Sequence, residues 1–146
     1  MGLIISLVFI FQQLVYGQSD QNRQFLQKVG ILDSLYSTTL EESRKYYVQL
    51  PNNYNSNTSY PVIYIIDGEV LLPTVNNVLD FYSGGFMPEM ILVGISNSDN
   101  RTRDLTTSKV NEMYGMPYYD ENGGAEIFLK FIENELIPHI NKKEFD

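Results

Sequence analysis

Four short stretches of this sequence carry residue types that can do chemistry. In "YIIDGEVLL" (64–72) a β-branched apolar run stops at Asp67-Gly68-Glu69 and a new apolar pattern begins. That is how a buried strand hands over to a helix, and in open α/β sheets the carboxyl end of a strand is where ligands bind. Gly68 permits close backbone approach and unusual dihedrals. The backbone N–H groups of Gly68 and Glu69 could serve as oxyanion-hole donors, which hold the negative oxygen of an acyl-transfer intermediate. An ordinary βα turn explains the same residues. On the donor reading, replacing the Glu69 side chain is expected to matter little.

"GISNS" (94–98) is one residue away from G-x-S-x-G, the nucleophile elbow. That motif needs glycines beside the serine to relieve a sharp strand-to-helix turn. Ser98 stands where the last glycine belongs, and "DNRTRDL" does not continue as an immediate helix. Ser96 therefore reads as a polar strand end. In "DNRTRDL" (99–105), Arg101, Arg103 and Asp104 can form a substrate rim that binds carboxylates, or can brace the loop through Arg–Asp pairs. Bracing is the better chemical reading. His139, the one histidine, cannot build a metal site or a triad alone and reads as a surface or capping residue. "DENGG" (120–124) lacks the repeating acidic ligands of a calcium loop and reads as a turn and helix cap. No metal site and no cofactor are expected.

The elements that must position these residues follow from periodicity. "ILDSLYSTTLEESRKYYVQLP" (31–51) reads as a β-hairpin whose second arm puts Tyr46, Val48 and Leu50 on one face. "PVIYII" (61–66) and "MILVGI" (90–95) are continuous apolar runs, as in strands covered on both faces. Between them Leu71, Val75, Val78, Leu79 and Tyr82 follow helical spacing, with Pro73 expected in the first turn. Strand, helix and strand make one βαβ unit. Residues 96–124 form a long polar excursion, the kind of loop that carries function. "AEIFLKFIENELIPHINKK" (125–143) is a helix with the stripe Ile127, Phe128, Phe131, Ile132, Leu136 and Ile140, which Pro138 would kink or end. A helix after a parallel strand normally leads to another parallel strand. The pattern thus reads as a fold interrupted midway.

Composition narrows the functional classes. The net charge is −8 with no basic stripe, against a nucleic-acid partner. The absence of cysteine excludes disulfides, thiolate catalysis and a lipid anchor on cysteine. "GLIISLVFIF" is too short to span a membrane comfortably and suits a signal peptide, with Val15 and Gly17 fitting cleavage after residue 17. The n-region has no Lys or Arg; a membrane anchor or a buried helix is the alternative. The expected organisation is a signal peptide at 1–17, a polar lead-in at 18–30 and a domain at 31–146. The mature protein would be periplasmic or secreted, without stable membrane insertion after cleavage.

The stretches "YPVIYIIDGE", "PEMILVGISNSDNRTRDLT" and "GGAEIFLKFIENELIPHI", in this order, resemble the N-terminal half of serine esterases of the esterase D and enterochelin-esterase-like group. The resemblance covers roughly residues 31–142. It implies an α/β-hydrolase fold with a mostly parallel sheet, here incomplete, acting on a small-molecule ester. It assigns one oxyanion-hole N–H to Gly68-Glu69. It also implies that the nucleophile, the acid and the histidine come later in the chain. The expectation is an N-terminal fragment of an exported carboxylic-ester hydrolase, truncated before the nucleophile elbow and inactive alone. A non-catalytic secreted module binding a sugar or siderophore is the first alternative. A receiver-like domain, with Asp67 as phosphoacceptor, is the second, and an export signal opposes it.

Overall fold

The computed structural model describes residues 30–146 except 83, 84, 119, 120, 144 and 146. The expected signal peptide at 1–17 and nearly all of the polar lead-in lie outside the described residues. Strands β1 (Ile31–Ser37) and β2 (Glu42–Gln49) form the hairpin. Then follow β3 (Val62–Ile66), α1 (Gly68–Tyr82), β4 (Ile91–Ile95), α2 (Arg101–Leu105), the small hairpin β5 (Glu112–Met113) and β6 (Met116–Pro117), and α3 (Ala125–Phe131). A π-helical turn, Ile132–Leu136, joins α3 to α4 (Ile137–Lys142) without a break in the helix.

The main sheet has the order β1-β2-β4-β3. Its β1–β2 and β2–β4 pairings are antiparallel, and only β3–β4 is parallel. The mostly parallel sheet expected from the sequence is therefore corrected. The N-terminal hairpin supplies half of the strands, and a two-strand hairpin can only pair antiparallel. The βαβ unit is present as read, with Ile65 opposite Gly94. That register brings the carboxyl ends of β3 and β4 together.

Helices pack on both faces of the sheet. One face buries Tyr46, Val48, Val93 and Ile95 under Phe128, Phe131, Leu136 and Ile140. The other buries Leu92 and Ile65 under Leu72, with Val75 and Leu79 beside them. The inward stripe of α1 is thus Leu72, Val75 and Leu79, while Leu71, Val78 and Tyr82 are exposed. Pro73 lies one turn further in than expected.

In the last helix the buried residues step from Phe131 to Leu136, five positions rather than three or four. The π turn accounts for that step. It also accommodates Pro138, which has no N–H to return to the carbonyl of Asn134. Ile127, expected in the inward stripe, is 49% exposed.

Candidate functional site

The βα corner after β3 is built from backbone packing. A Cβ on Gly68 would fall 2.4 Å from the Gly94 Cα, so only glycine lets α1 start directly on β4. Asp67, just before it, has φ +54°, the left-handed region that few side chains adopt. Aspartate tolerates it better than most residues.

Every polar group of Asp67 is held. Its N–H donates to Asn97 Oδ1 at 3.2 Å. Its carboxylate accepts Arg101 Nε, at 3.2 Å on one oxygen and 3.0 Å on the other. Its carbonyl accepts the N–H groups of Val70 and Leu71, each at 2.9 Å. The next two donors, the N–H groups of Gly68 and Glu69, lie in the first turn of α1 and have no main-chain acceptor within the helix. They sit at the positive end of a fifteen-residue helix, where negative charge is favoured.

The Glu69 side chain has a task that the sequence did not reveal. Its Oε1 accepts the Ser98 N–H at 2.7 Å and the Asn97 N–H at 3.3 Å. It also accepts the Ser96 hydroxyl at 3.3 Å. Burial works against this carboxylate, but hydrogen bonds from its own N–H and those of Ser98 and Asn97 bring its pKa below the ordinary value. The expectation that its side chain matters little therefore needs amending: Glu69 ties α1 to the loop after β4.

Ser96 has Glu69 as its side-chain partner, an acceptor but no base of the kind an elbow serine needs. His139 lies on α4, with its ring Nε2 2.9 Å from the Tyr46 hydroxyl. Tyr46 also donates to Asp33 Oδ2 at 3.0 Å, and Lys143 pairs with Asp33. Lys143, the Ser34 N–H and Tyr46 together hold the Asp33 carboxyl at about 2. This is a fastening of α4 to the hairpin. Among the described residues, the structure does not bring Ser96 and His139 together, and no group of three or more acidic or histidine side chains could hold a metal ion.

Behind the corner runs a charged network that braces it. Asn97, fully buried, donates from Nδ2 to Asp104 Oδ2 at 3.0 Å. Asp104, 1% exposed, accepts Arg44 Nη1 at 2.8 Å and Arg103 Nη2 at 2.9 Å. Arg44 also donates to the Ser96 carbonyl at 3.0 Å and pairs with Glu42. Arg103 forks onto Glu42, with Nη2 at 2.7 Å and Nη1 at 3.1 Å. The Arg103 fork, helped by Arg44, draws the Glu42 pKa down, and Glu42 in turn raises that of Arg103. Arg101 and Arg103 thus both reach carboxylates, one at the corner and one at the hairpin. Ser98, Asn100, Arg101, Arg103 and Glu121 line an open hollow beside this corner.

Asn97, Glu42 and Arg44 were not singled out from the sequence. A signal for two of them exists. Extending the inward register of Tyr46 and Val48 back by two and four residues gives Arg44 and Glu42, and a charge on a buried face must find a partner. The loop 106–124 is anchored at its base. The Asn122 side chain accepts the Val110 N–H at 2.6 Å and donates to its carbonyl at 3.0 Å. Gly123 takes a positive φ and donates to Thr106 Oγ1 at 2.6 Å, and Gly124 caps α3. Among the described residues, no helix is long and apolar enough to cross a membrane.

Comparison with known proteins agrees with this architecture. The chain is 31% identical to the ferri-bacillibactin esterase BesA of Bacillus subtilis, over 69% of this chain and 40% of that protein. An IroE-like serine hydrolase from Shewanella oneidensis superposes with a TM-score of 0.67 at 38% identity, over 77% of this chain and 38% of that one. The BES protein from Bacillus cereus gives a TM-score of 0.65 at 23% identity, over 79% of this chain and 48% of that one, a likeness of fold alone. The chain thus spans about two fifths of the curated relative's length. The family described as "Putative esterase" matches residues 37–144, and the chain belongs to that esterase family.

Proposed function

We propose that this chain contributes the oxyanion side of an exported serine carboxylic-ester hydrolase. The observation that supports the reading best is the corner itself. The strained Asp67 and the glycine contact leave the Gly68 and Glu69 N–H groups at a helix start, beside the carboxyl ends of β3 and β4. N–H donors whose direction the fold sets in advance suit the oxygen of a tetrahedral intermediate. The Gly68 N–H is the freer donor. The Glu69 N–H is shared with its own carboxylate, with which an oxyanion would compete.

In this reading the attacking serine, its histidine and the acid belong to sequence outside residues 1–146. The histidine would take the serine's proton and pass it to the leaving alcohol. Residues 1–146 alone would carry no triad catalysis. Arg101, Arg103 and Asp104 brace the loop that forms the substrate rim. The substrate class is a small-molecule ester, and the name of BesA favours a siderophore-type ester. The chemistry of the site calls for no cofactor, and the apolar residues 3–11 support a periplasmic or secreted setting.

The test is the coding sequence after codon 146 and the activity of the longer polypeptide. An in-frame strand and G-x-S-x-G within about 20 codons, the size of one strand and turn, supports the reading. Hydrolysis of a short-chain p-nitrophenyl ester, abolished when that serine becomes Ala, completes it. Tight siderophore or sugar binding without turnover, in a frame lacking the motif, sinks it in favour of a binding module.

A further inference from the structure

We propose that Asn97 and Arg101 are positioning residues of this corner: together they hold Asp67 in its left-handed conformation and so aim the N–H groups of Gly68 and Glu69. The inference rests on the oxyanion reading and deepens it. Both side chains bond Asp67. Asn97 acts on the backbone of Asp67, accepting its N–H at 3.2 Å, and Arg101 acts on its carboxylate.

Left-handed backbone at a residue with a side chain persists only where its surroundings over-determine it. Here one restraint comes from Asn97 in the loop after β4, one from Arg101 at the start of α2, and a third from α1, whose Val70 and Leu71 N–H groups hold the Asp67 carbonyl. Remove the first two, and Asp67 can leave the left-handed region, its carbonyl and the first turn of α1 shifting with it. Gly68 imposes no conformational preference to prevent it. The two donors would then shift together from their place beside the carboxyl end of β4 while the helix stayed formed.

The two anchors differ in a way that makes the idea testable. Asn97 is fully buried and is itself fixed by Asp104, which Arg44 and Arg103 hold. It is a rigid post built into the core. Arg101 is a surface side chain, 64% exposed, whose ion pair with Asp67 would contribute little to stability. Loss of Arg101 should leave the fold intact while loosening the corner.

The experiment compares Asn97→Ala, Arg101→Gln and Val48→Ala in the full-length polypeptide that carries these residues. The probe is a neutral short-chain p-nitrophenyl ester, which gives Arg101 no charge to bind. Asn97→Ala is expected to lower kcat by about 30-fold or more, and Arg101→Gln by roughly 3- to 10-fold, each with KM within about twofold. Val48→Ala opens a cavity on the opposite face of the sheet from α1, and is expected to lower Tm with kcat unchanged. If Asn97→Ala does not fold, Arg101→Gln decides the matter. A wild-type polypeptide without esterase activity overturns the functional reading and this inference together. An active wild type whose folded Asn97→Ala and Arg101→Gln variants keep kcat within twofold overturns the positioning alone. A rise in KM with kcat unchanged does the same, because it makes these residues substrate contacts.

Discussion

Gly68 and Gly94 touch backbone to backbone: a Cβ on Gly68 would lie 2.3 Å from the Gly94 carbonyl carbon, inside any real contact distance. A Cβ on Gly94 would meet the Gly68 Cα at 3.0 Å, a tight but less severe approach. The two glycines are therefore not equivalent. Gly68→Ala must push the start of α1 off β4, and overpacking of this kind costs about 3 kcal/mol. Gly94→Ala is expected to cost about 1 kcal/mol. Thermal or urea unfolding of both variants checks the ranking; equal midpoints would mean that the corner gives way freely.

Arg44 is the cation on which the hairpin, the loop after β4 and α2 converge. Arg44→Met keeps an apolar stem against Phe128 but leaves Arg103 as the one remaining counter-charge of Glu42 and buried Asp104. The expected loss is about 2–3 kcal/mol, because a buried carboxylate loses its closest counter-charge. Glu42→Gln removes a half-buried partner and is expected to cost about 1 kcal/mol. Denaturant midpoints measure both, and a harmless Arg44→Met would show that Arg103 and Asn97 satisfy Asp104 unaided.

The elements were largely readable because their signals are local. Tyr46 and Val48 alternate with polar residues, and the runs at 62–66 and 91–95 are apolar throughout. Both signals survive folding, since each strand faces the same kind of neighbour along its length. The direction of strand pairing was less readable, because a hairpin and a βαβ unit share one sheet only through the β2–β4 pairing, a contact between residues about 46 apart in sequence. The phase of α1 escaped for a related reason. Its first residue is fixed by Gly94, so rotation about the helix axis follows from a distant glycine and not from the helix's own apolar residues. At the corner, Gly68 and Glu69 could be named from the strand-to-helix handover. Asn97 could not: its importance lies in accepting a backbone N–H thirty residues earlier in the chain, and no spacing rule encodes that.

Glu135 predicts an acid-sensitive step. The π turn places its Oε1 against the β1–β2 turn, where it accepts Thr38 Oγ1 at 2.6 Å, Thr39 Oγ1 at 2.8 Å and the Thr39 N–H at 2.9 Å. Burial opposes the charge, but these donors and the Ser37 hydroxyl bring its pKa to about 2 from an ordinary 4.5. A carboxyl depressed by folding stabilises the fold fully above its unfolded value, and that contribution fades as pH falls from about 4.5 toward 2. Glu135→Gln keeps the shape without the charge. It should lose about 1–2 kcal/mol at pH 7 and show a flatter fall in Tm between pH 4.5 and 2. Parallel Tm-against-pH curves for the two proteins would remove Glu135 from the acid response.

The edge of the sheet makes the last prediction. Among the described residues β3 pairs only with β4, so its other side presents unpaired N–H and C=O groups. Ile66, at its end, is 41% exposed, and Val70, Val78 and Phe81 of α1 are 68%, 49% and 80% exposed. A bare apolar strand beside an apolar helix surface is a template for pairing with another chain. Residues 18–146 made alone are therefore expected to associate as concentration rises, visible by sedimentation velocity. Ile66→Lys together with Phe81→Glu should suppress the association without lowering Tm, since a charge at an exposed edge opposes strand addition while leaving the core untouched. A wild-type monomer that stays monodisperse and melts cooperatively at high concentration would mean that β3 is protected within these residues, and would count strongly against a missing neighbouring strand.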